Sequence, residues 1–260
     1  MPAVTTPLNP SRPQSPQSPQ SLNHANHHSA PSRAQDPAPR LVVANGVHAG
    51  LRPEFIQQFH EDSGALRAEI VAGLARPQAS ISPKFFYDVL GSRLFEAITD
   101  LPEYYPTRTE ASIFAGAAPA IAARAGSGCV LIGVDLYKDA DTLVAAYDDA
   151  LGVTAAFNRN VLRNVNRIVG SDFALEDWRH AATFDRQASR IQMHLEAVRD
   201  VTVRWPDGER RFASGERIHT EDSHKYRPED FAILLEAAGF TDPVSWTDPR
   251  GWFAVFHARG

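Results

Sequence analysis

Disulfides have no place in this chain, because Cys129 is its single cysteine. That usage fits a reducing cytoplasm. Long apolar runs are missing too, and without a stretch of about 18 such residues no membrane span is expected. Basic charge is in deficit, with 26 Lys and Arg against 31 Asp and Glu, a net charge of -5. No basic stripe stands ready to neutralise phosphates, which argues against a nucleic-acid partner. The expectation is a cytoplasmic monomer. At 260 residues and 43% hydrophobic content, the chain is long enough for one or two domains with a real core.

Apolar residues are scarce near the start. The stretch SRPQSPQSPQSLNHANHHSAPSRAQDPAPR is built from Pro, Ser, Gln, Asn and His, and the first forty residues hold nine of the 19 prolines. Such a composition buries too little apolar surface to offset its ordering entropy, so residues 1–48 are read as a disordered tail. The tail has no apolar core of a signal peptide and carries the acidic Asp36. His24, His27 and His28 have no companion cluster, so no metal site is expected of them.

Regular patterns follow. Residues 51–74 read as one helix or two short ones, 91–100 as a short helix, and 107–125 as a longer one with Thr107 and Glu110 as a capping box. The run VLIGVD, 130–135, reads as a buried parallel strand ending in an acid. Helical patterns over 141–150 and 155–169 come next. From Ile191 the period becomes two, predicting antiparallel strands with a hairpin at PDG. Pro228 opens a last helix that Gly239 closes, and VSWTD and GWFAVFHA read as two short strands. Periodicity thus gives an α/β chain with an antiparallel insertion.

Three segments are candidates for chemistry. In LPEYYP, Tyr104 and Tyr105 sit on a loop stiffened by two prolines. They either present a hydroxyl and a ring to a ligand, or divide between core and surface. YDDALGVTAAFNRNVLRNVNR, 147–167, is either a polar site or a solvated helix pair. In IHTEDSHKYRP, Glu221 and Ser223 alternate on an extended segment and share a face. A carboxylate beside a hydroxyl suits a ligand that donates hydrogen bonds, such as an imidazole or an amine; the alternative is an ordinary polar strand edge.

Taken in order, PKFFYD, GSRLFEAITDLPEYYPTRTE, LIGVDLYKD, AYDDALGVTAAFNRNVL, RIQMHLEA and ERIHTEDSHKYRP resemble the L-histidine Nα-methyltransferases of ergothioneine biosynthesis. Those enzymes methylate the α-amine of histidine to its trimethyl betaine with S-adenosylmethionine. The resemblance runs from residue 50 to 260. It implies that Tyr104 helps hold the histidine, that Tyr147 shares in binding its carboxylate, and that Glu221 and Ser223 grip the imidazole. It further implies Met193 as an apolar wall, Thr154 near the amine, and Tyr87 at the cofactor end. No side chain is implied as a nucleophile, since transfer to an amine is mostly a matter of placement.

The implied fold is a truncated doubly wound, Rossmann-like methyltransferase sheet with an α+β substrate-binding domain. Residues 49–125 would be the helical part of that domain, 126–150 a residual core strand and helix, 151–226 the α+β insertion, and 227–260 the closing helix and strands of the core. Truncation is implied because the S-adenosylmethionine half has no counterpart. Nineteen residues, 111–129, separate Glu110 from the strand at Val130, whereas one strand–helix–strand unit needs about 30 or more. Gly126-Ser127-Gly128 precedes its strand, while a nucleotide loop must follow one. The family's amine-binding asparagine loop is lost with the same region. An internal deletion near residues 120–128 is therefore expected, leaving either an inactive family member or a non-catalytic remnant that binds histidine or its betaine.

Overall fold

The computed structural model describes residues 63–126 and 128–260. The expected tail with its histidines, the start of the first helix and Ser127 lie outside the described residues.

The chain runs through α1 (Ser63–Leu74), a 3-10 turn at Pro83–Phe86, α2 (Val89–Thr99), α3 (Pro106–Arg124), β1 (Cys129–Asp135), α4 (Ala140–Ala145) and α5 (Val153–Val169). It continues through β2 (Trp178–Asp185), β3 (Arg190–Ala197), β4 (Val201–Trp205), β5 (Gly208–Phe212), β6 (Arg217–His224), α6 (Pro228–Ala237), β7 (Thr241–Thr247) and β8 (Phe253–Arg259). The result is a mixed α/β structure.

Helix α5 is the hub of the larger core. Phe157, Val161, Val165 and Val169 recur every four residues and are buried, the stripe expected of a core-facing helix. Against them pack Phe86, Trp178, Leu195 and Ile218 from the 3-10 turn and the antiparallel sheet β2-β3-β6. Beside the stripe lie three buried asparagines, where a solvated face was one expectation. Asn158 donates to the His194 carbonyl (3.0 Å), Asn160 to Asp88 Oδ1 (2.8 Å) and Asn164 to the Phe85 carbonyl (2.8 Å). Each ties α5 to a neighbouring element, as buried amides must find partners. Asp88 also caps α2 by accepting from Gly91 N at 2.7 Å. Gly91 lacks a side chain for a reason: a Cβ there would stand 1.7 Å from the Phe86 carbonyl oxygen.

A second sheet has the order β1-β8-β7, and both of its pairings are antiparallel. Along β8 the side chains alternate between two helices. Ala254 and Phe256 pack with Phe231 and Leu235 of α6, while Phe253 and Val255 meet Ile113 and Ile121 of α3. One short sheet is thereby covered on both faces.

Three expectations need correction. The 130–135 strand runs antiparallel rather than parallel, and the buried strand that its composition suggests is an exposed apolar edge, as expected once the sheet is truncated, with Leu131 43% and Ile132 38% exposed. Its apolar, β-branched composition suits a covered strand, but no described element covers this edge. The strands over 130–135, 244–247 and 252–257, expected to form a small mixed sheet, pair antiparallel throughout. Thr107 does not cap α3: Pro106 takes the first helical position, where its fixed φ fits, and Tyr105 precedes it. Strand β2 was not expected, since WRHAATFD carries no clean alternation.

Residues 131 and 132 point to opposite faces, so both sides of the β1 edge present apolar surface beside unpaired main-chain groups. Replacing Leu131 with Lys is expected to lower concentration-dependent association in light scattering. Equal association of wild type and Leu131→Lys would contradict this role for the edge.

Candidate functional site

Strand β6 delivers the polar face of the site. Met193 on β3 stands opposite Glu221, and Ile191 stands opposite Ser223. In front of this face lies a small, narrow cavity. Tyr87, Tyr104, Tyr147, Thr154, Met193 and Glu221 all line it. Ser223 joins them through a 2.6 Å hydrogen bond to the Tyr147 hydroxyl. All seven residues singled out from the sequence therefore converge. Tyr87 shares this same cavity, and half of it is exposed.

Each wall is held from behind. The Tyr147 carbonyl accepts from His180 Nε2 at 2.8 Å, and His180 Nδ1 accepts from Asn158 Nδ2 at 2.8 Å. Burial keeps this imidazole below its ordinary value, so it stays neutral and serves as a strut. Asp149 accepts from Val153 N (2.9 Å) and Thr154 N (2.7 Å), which fixes the first turn of α5 at the cavity. Thr154 Oγ1 is buried there with no hydrogen-bond partner. Tyr104 lies edge-on to Phe95, and burial raises its hydroxyl above the ordinary value, so it enters the cavity as a neutral donor and acceptor.

A buried charge cluster adjoins this wall. The Asp135 carboxylate accepts from the Tyr105 hydroxyl (2.8 and 2.9 Å), from Lys138 Nζ (2.6 Å) and from Lys225 Nζ (2.8 Å). Lys225 also donates to Ser223 Oγ at 2.9 Å and to the Tyr147 hydroxyl at 3.0 Å. Tyr105 is the core member of the tyrosine pair, at 3% exposure. The sequence reading did not pick out Lys225, although its signal was present: residues 221, 223 and 225 continue one alternation.

A larger depression lies by Ser63, Lys84 and Asp88. Its charges are already engaged, Lys84 with Glu69 and Asp88 with Gly91 and Asn160. The smaller cavity is the one with free polar groups converging on it.

The tyrosine-lined cavity and its carboxylate form a candidate binding site for a small polar molecule on an α/β scaffold. Comparison with known proteins says which scaffold. A family model described as "Histidine-specific methyltransferase, SAM-dependent" matches residues 66–130 and 124–260, and the chain belongs to that family. A histidine N-alpha-methyltransferase of Mycolicibacterium smegmatis is 32% identical over 300 positions, covering 74% of this chain and 94% of that protein. The protein of the same name from Mycobacterium tuberculosis is 30% identical over 316 positions, covering 79% of this chain and 98% of its own. "Ergothioneine biosynthesis protein 1" of Neurospora crassa is 36% identical over 121 positions, 45% of this chain and 13% of that protein.

The coverage carries further information. Since 74% of 260 is about 192 residues, about 108 of the 300 aligned positions face no residue here. For the second relative, 79% is about 205, which leaves about 111 of 316. The two stretches matched by the family model meet between the end of α3 and β1.

The described residues do not fit S-adenosylmethionine. A dinucleotide-type site needs a strand, a Gly-rich turn and a helix in that order, then an acid free to hold the ribose. The segment leaving β1, Leu136 to Asp139, contains no glycine. Asp135 at the end of β1 is closed off by Tyr105, Lys138 and Lys225. Parallel pairing among the described residues is confined to the isolated bridges Ser80–His219 and Leu136–Tyr226.

Burial pushes the Glu221 carboxyl up to about 7 from an ordinary 4.5, with Lys225 pulling it down and Asp222 adding a smaller upward push. A carboxyl raised on folding contributes stability that is complete below about 4.5 and lost as pH climbs through about 7. Relative to Glu221→Gln, the wild type should therefore lose on the order of 2 kcal/mol between pH 4.5 and 8. Denaturant midpoints of both proteins at the two pH values check this. A constant difference would mean that Glu221 is not desolvated.

Proposed function

We propose that this chain is the histidine-holding part of a histidine Nα-methyltransferase, with the S-adenosylmethionine half deleted between α3 and β1. Convergence of Tyr104, Tyr147, Thr154, Met193, Glu221 and Ser223 on one cavity carries the reading. In it Glu221 and Ser223 grip the imidazole, Met193 packs against the ring, and Tyr147 shares in binding the carboxylate. Thr154, whose hydroxyl lacks a partner, faces the amine. The sheet β1-β8-β7 is, in this reading, the surviving end of a doubly wound sheet. Its two-sided helical cover and the open β1 edge support that view. The roughly one hundred aligned positions of the relatives that face no residue here, and the break of the family match into two stretches at residues 124–130, support the deletion.

S-adenosylmethionine supplies an electrophilic methyl group when bound, but no described residue set holds it, so the chain as written binds histidine without methylating it. Placement accounts for much of the rate of such a transfer, and it is forfeited when one reactant has no site. Two measurements test the two halves. Titration calorimetry should find millimolar histidine binding that Glu221→Ala abolishes, because a charge-assisted hydrogen bond is worth about 1.5–3 kcal/mol. Identical heats for the two proteins would remove the pocket assignment. Mass spectrometry after incubation with histidine and S-adenosylmethionine should find no mono-, di- or trimethylated product. Multiple turnover would overturn the deletion reading.

A further inference from the structure

The main-chain groups of β1 face two ways. Leu136 N donates to the Trp252 carbonyl at 3.0 Å, and the Gly128 carbonyl accepts from Gly260 N. Even-numbered residues from 128 to 136 therefore turn their N–H and C=O groups toward β8, and the alternation of an antiparallel strand turns the odd-numbered ones outward. Asp135 is already engaged on that side, since its carbonyl accepts from Tyr226 N at 3.1 Å. Cys129, Leu131 and Gly133 remain, a free row centred on Leu131.

Sheet edges are ordinarily guarded against strand addition by charge, proline or a bulge. The far edge of this sheet follows that rule: β7 carries Pro243, holds Asp242 at a φ of 53° and shifts register between Thr241 and Val244. The near edge does not. Residues 129–134 include no charged side chain and no proline. An identical strand can approach them without like-charge repulsion.

We propose that the β1 edge is the interface for a second copy of this chain, paired antiparallel across a two-fold axis at Leu131. In that register Leu131 faces its own counterpart, and Cys129 of each copy faces Gly133 of the other. All the free outward N–H and C=O groups are then paired. Any other antiparallel register leaves some of them unpaired or runs the second strand into Tyr226. On the α6 face, exposed Ile132 is covered by Val130 of the second copy. On the α3 face the charges are complementary. The Glu110 carboxylate fills the space that a Cβ on Gly133 would take and has no ion pair among the described residues. The axis brings it toward Arg259 of the second copy, because Arg259 stands opposite Cys129 in register. So short an edge buries on the order of 1,200 Å2 or less, the size of a weak, reversible contact. A two-fold contact also consumes both edges, so assembly stops at the dimer. The pairing is independent of what the cavity binds.

The experiment is sedimentation of the full chain over about 1–300 µM, a range that reads a weak dimer. The wild type is expected to pass from monomer to dimer and no further. Leu131→Pro removes an outward N–H at the axis and none that β8 uses, and it should weaken the dimer by about tenfold or more. Cysteine cross-linking reads the register. A hydrogen-bonded antiparallel pair holds its Cα atoms about 5.5 Å apart, within disulfide reach. In a Cys129→Ser background, Leu131→Cys should therefore cross-link under mild oxidation. Ile132→Cys should link several times more slowly, its two copies lying about 8 Å apart. If Leu131→Pro does not fold, the wild-type sedimentation and the cysteine pair still decide. A monomer at every concentration would mean that the edge is closed from within the chain, and would overturn the inference. So would species larger than a dimer, or Ile132→Cys linking as fast as Leu131→Cys.

Discussion

The contact between Lys225 and Asp135 joins the two three-stranded sheets, and the shape of the cavity depends on it. Lys225 leaves the end of β6, and Asp135 is the last residue of β1. Around their 2.8 Å ion pair the backbone follows suit: Tyr226 N donates to the Asp135 carbonyl (3.1 Å) and Tyr137 N to the Tyr226 carbonyl (2.8 Å). Desolvating two charges is expensive, and an ion pair of this kind persists only when its remaining donors and acceptors are also satisfied. Here they are, by Tyr105, Lys138, Tyr147 and Ser223. The same set that satisfies the charge positions the polar wall of the site, so fold and binding surface share one hydrogen-bond network.

That arrangement leaves the cavity largely independent of the smaller sheet. Its walls come from α2, α5, β3 and β6 and rest on the larger core around Phe86, Phe157, Trp178 and Leu195. None of these residues belongs to β1, β7 or β8. The smaller sheet contributes Asp135 and the neighbouring Lys138, one anchoring cluster at one corner. The edge that faces outward, Leu131 and Ile132, lies on the strand that supplies this anchor. A fault at the β1 edge would thus reach the cavity through Asp135 and not through the core.

Much of the site was legible because its residues follow simple periods. Glu221 and Ser223 share a face by the strand's period of two, and register then sets Met193 opposite Glu221. The prolines around Tyr104-Tyr105 marked a stiff turn, and the structure assigns the two rings to different tasks, Tyr104 to the cavity and Tyr105 to Asp135. What periodicity does not carry is pairing between distant segments. The role of Asp135 was hidden because its partners lie 30 and 90 residues along the chain. The asparagines of α5 look like surface residues in a helical pattern, and only their backbone partners on β3, at Phe85 and at Asp88 explain their burial. Strand direction was misread at 130–135 for a related reason: composition records how apolar a strand is, whereas its neighbours decide whether it runs parallel or antiparallel.

The two poles of the cavity set limits on what the chain can do by itself. Glu221 on one wall is an acceptor whose proton is held loosely near neutral pH, and the Tyr147–Ser223 pair is backed by an ammonium. In the proposed reading such a cavity orients a small polar molecule between the Glu221 wall and the Tyr147 hydroxyl. It offers no thiol and no serine paired with a base; the histidine nearest its wall, His180, is spent holding the Tyr147 carbonyl. Orientation is the chemistry these residues provide, and orientation accelerates a reaction only when a second reactant is held in register with the first. In the proposed reading that second reactant belongs beyond the β1 edge, which among the described residues presents exposed leucine and isoleucine and no glycine turn.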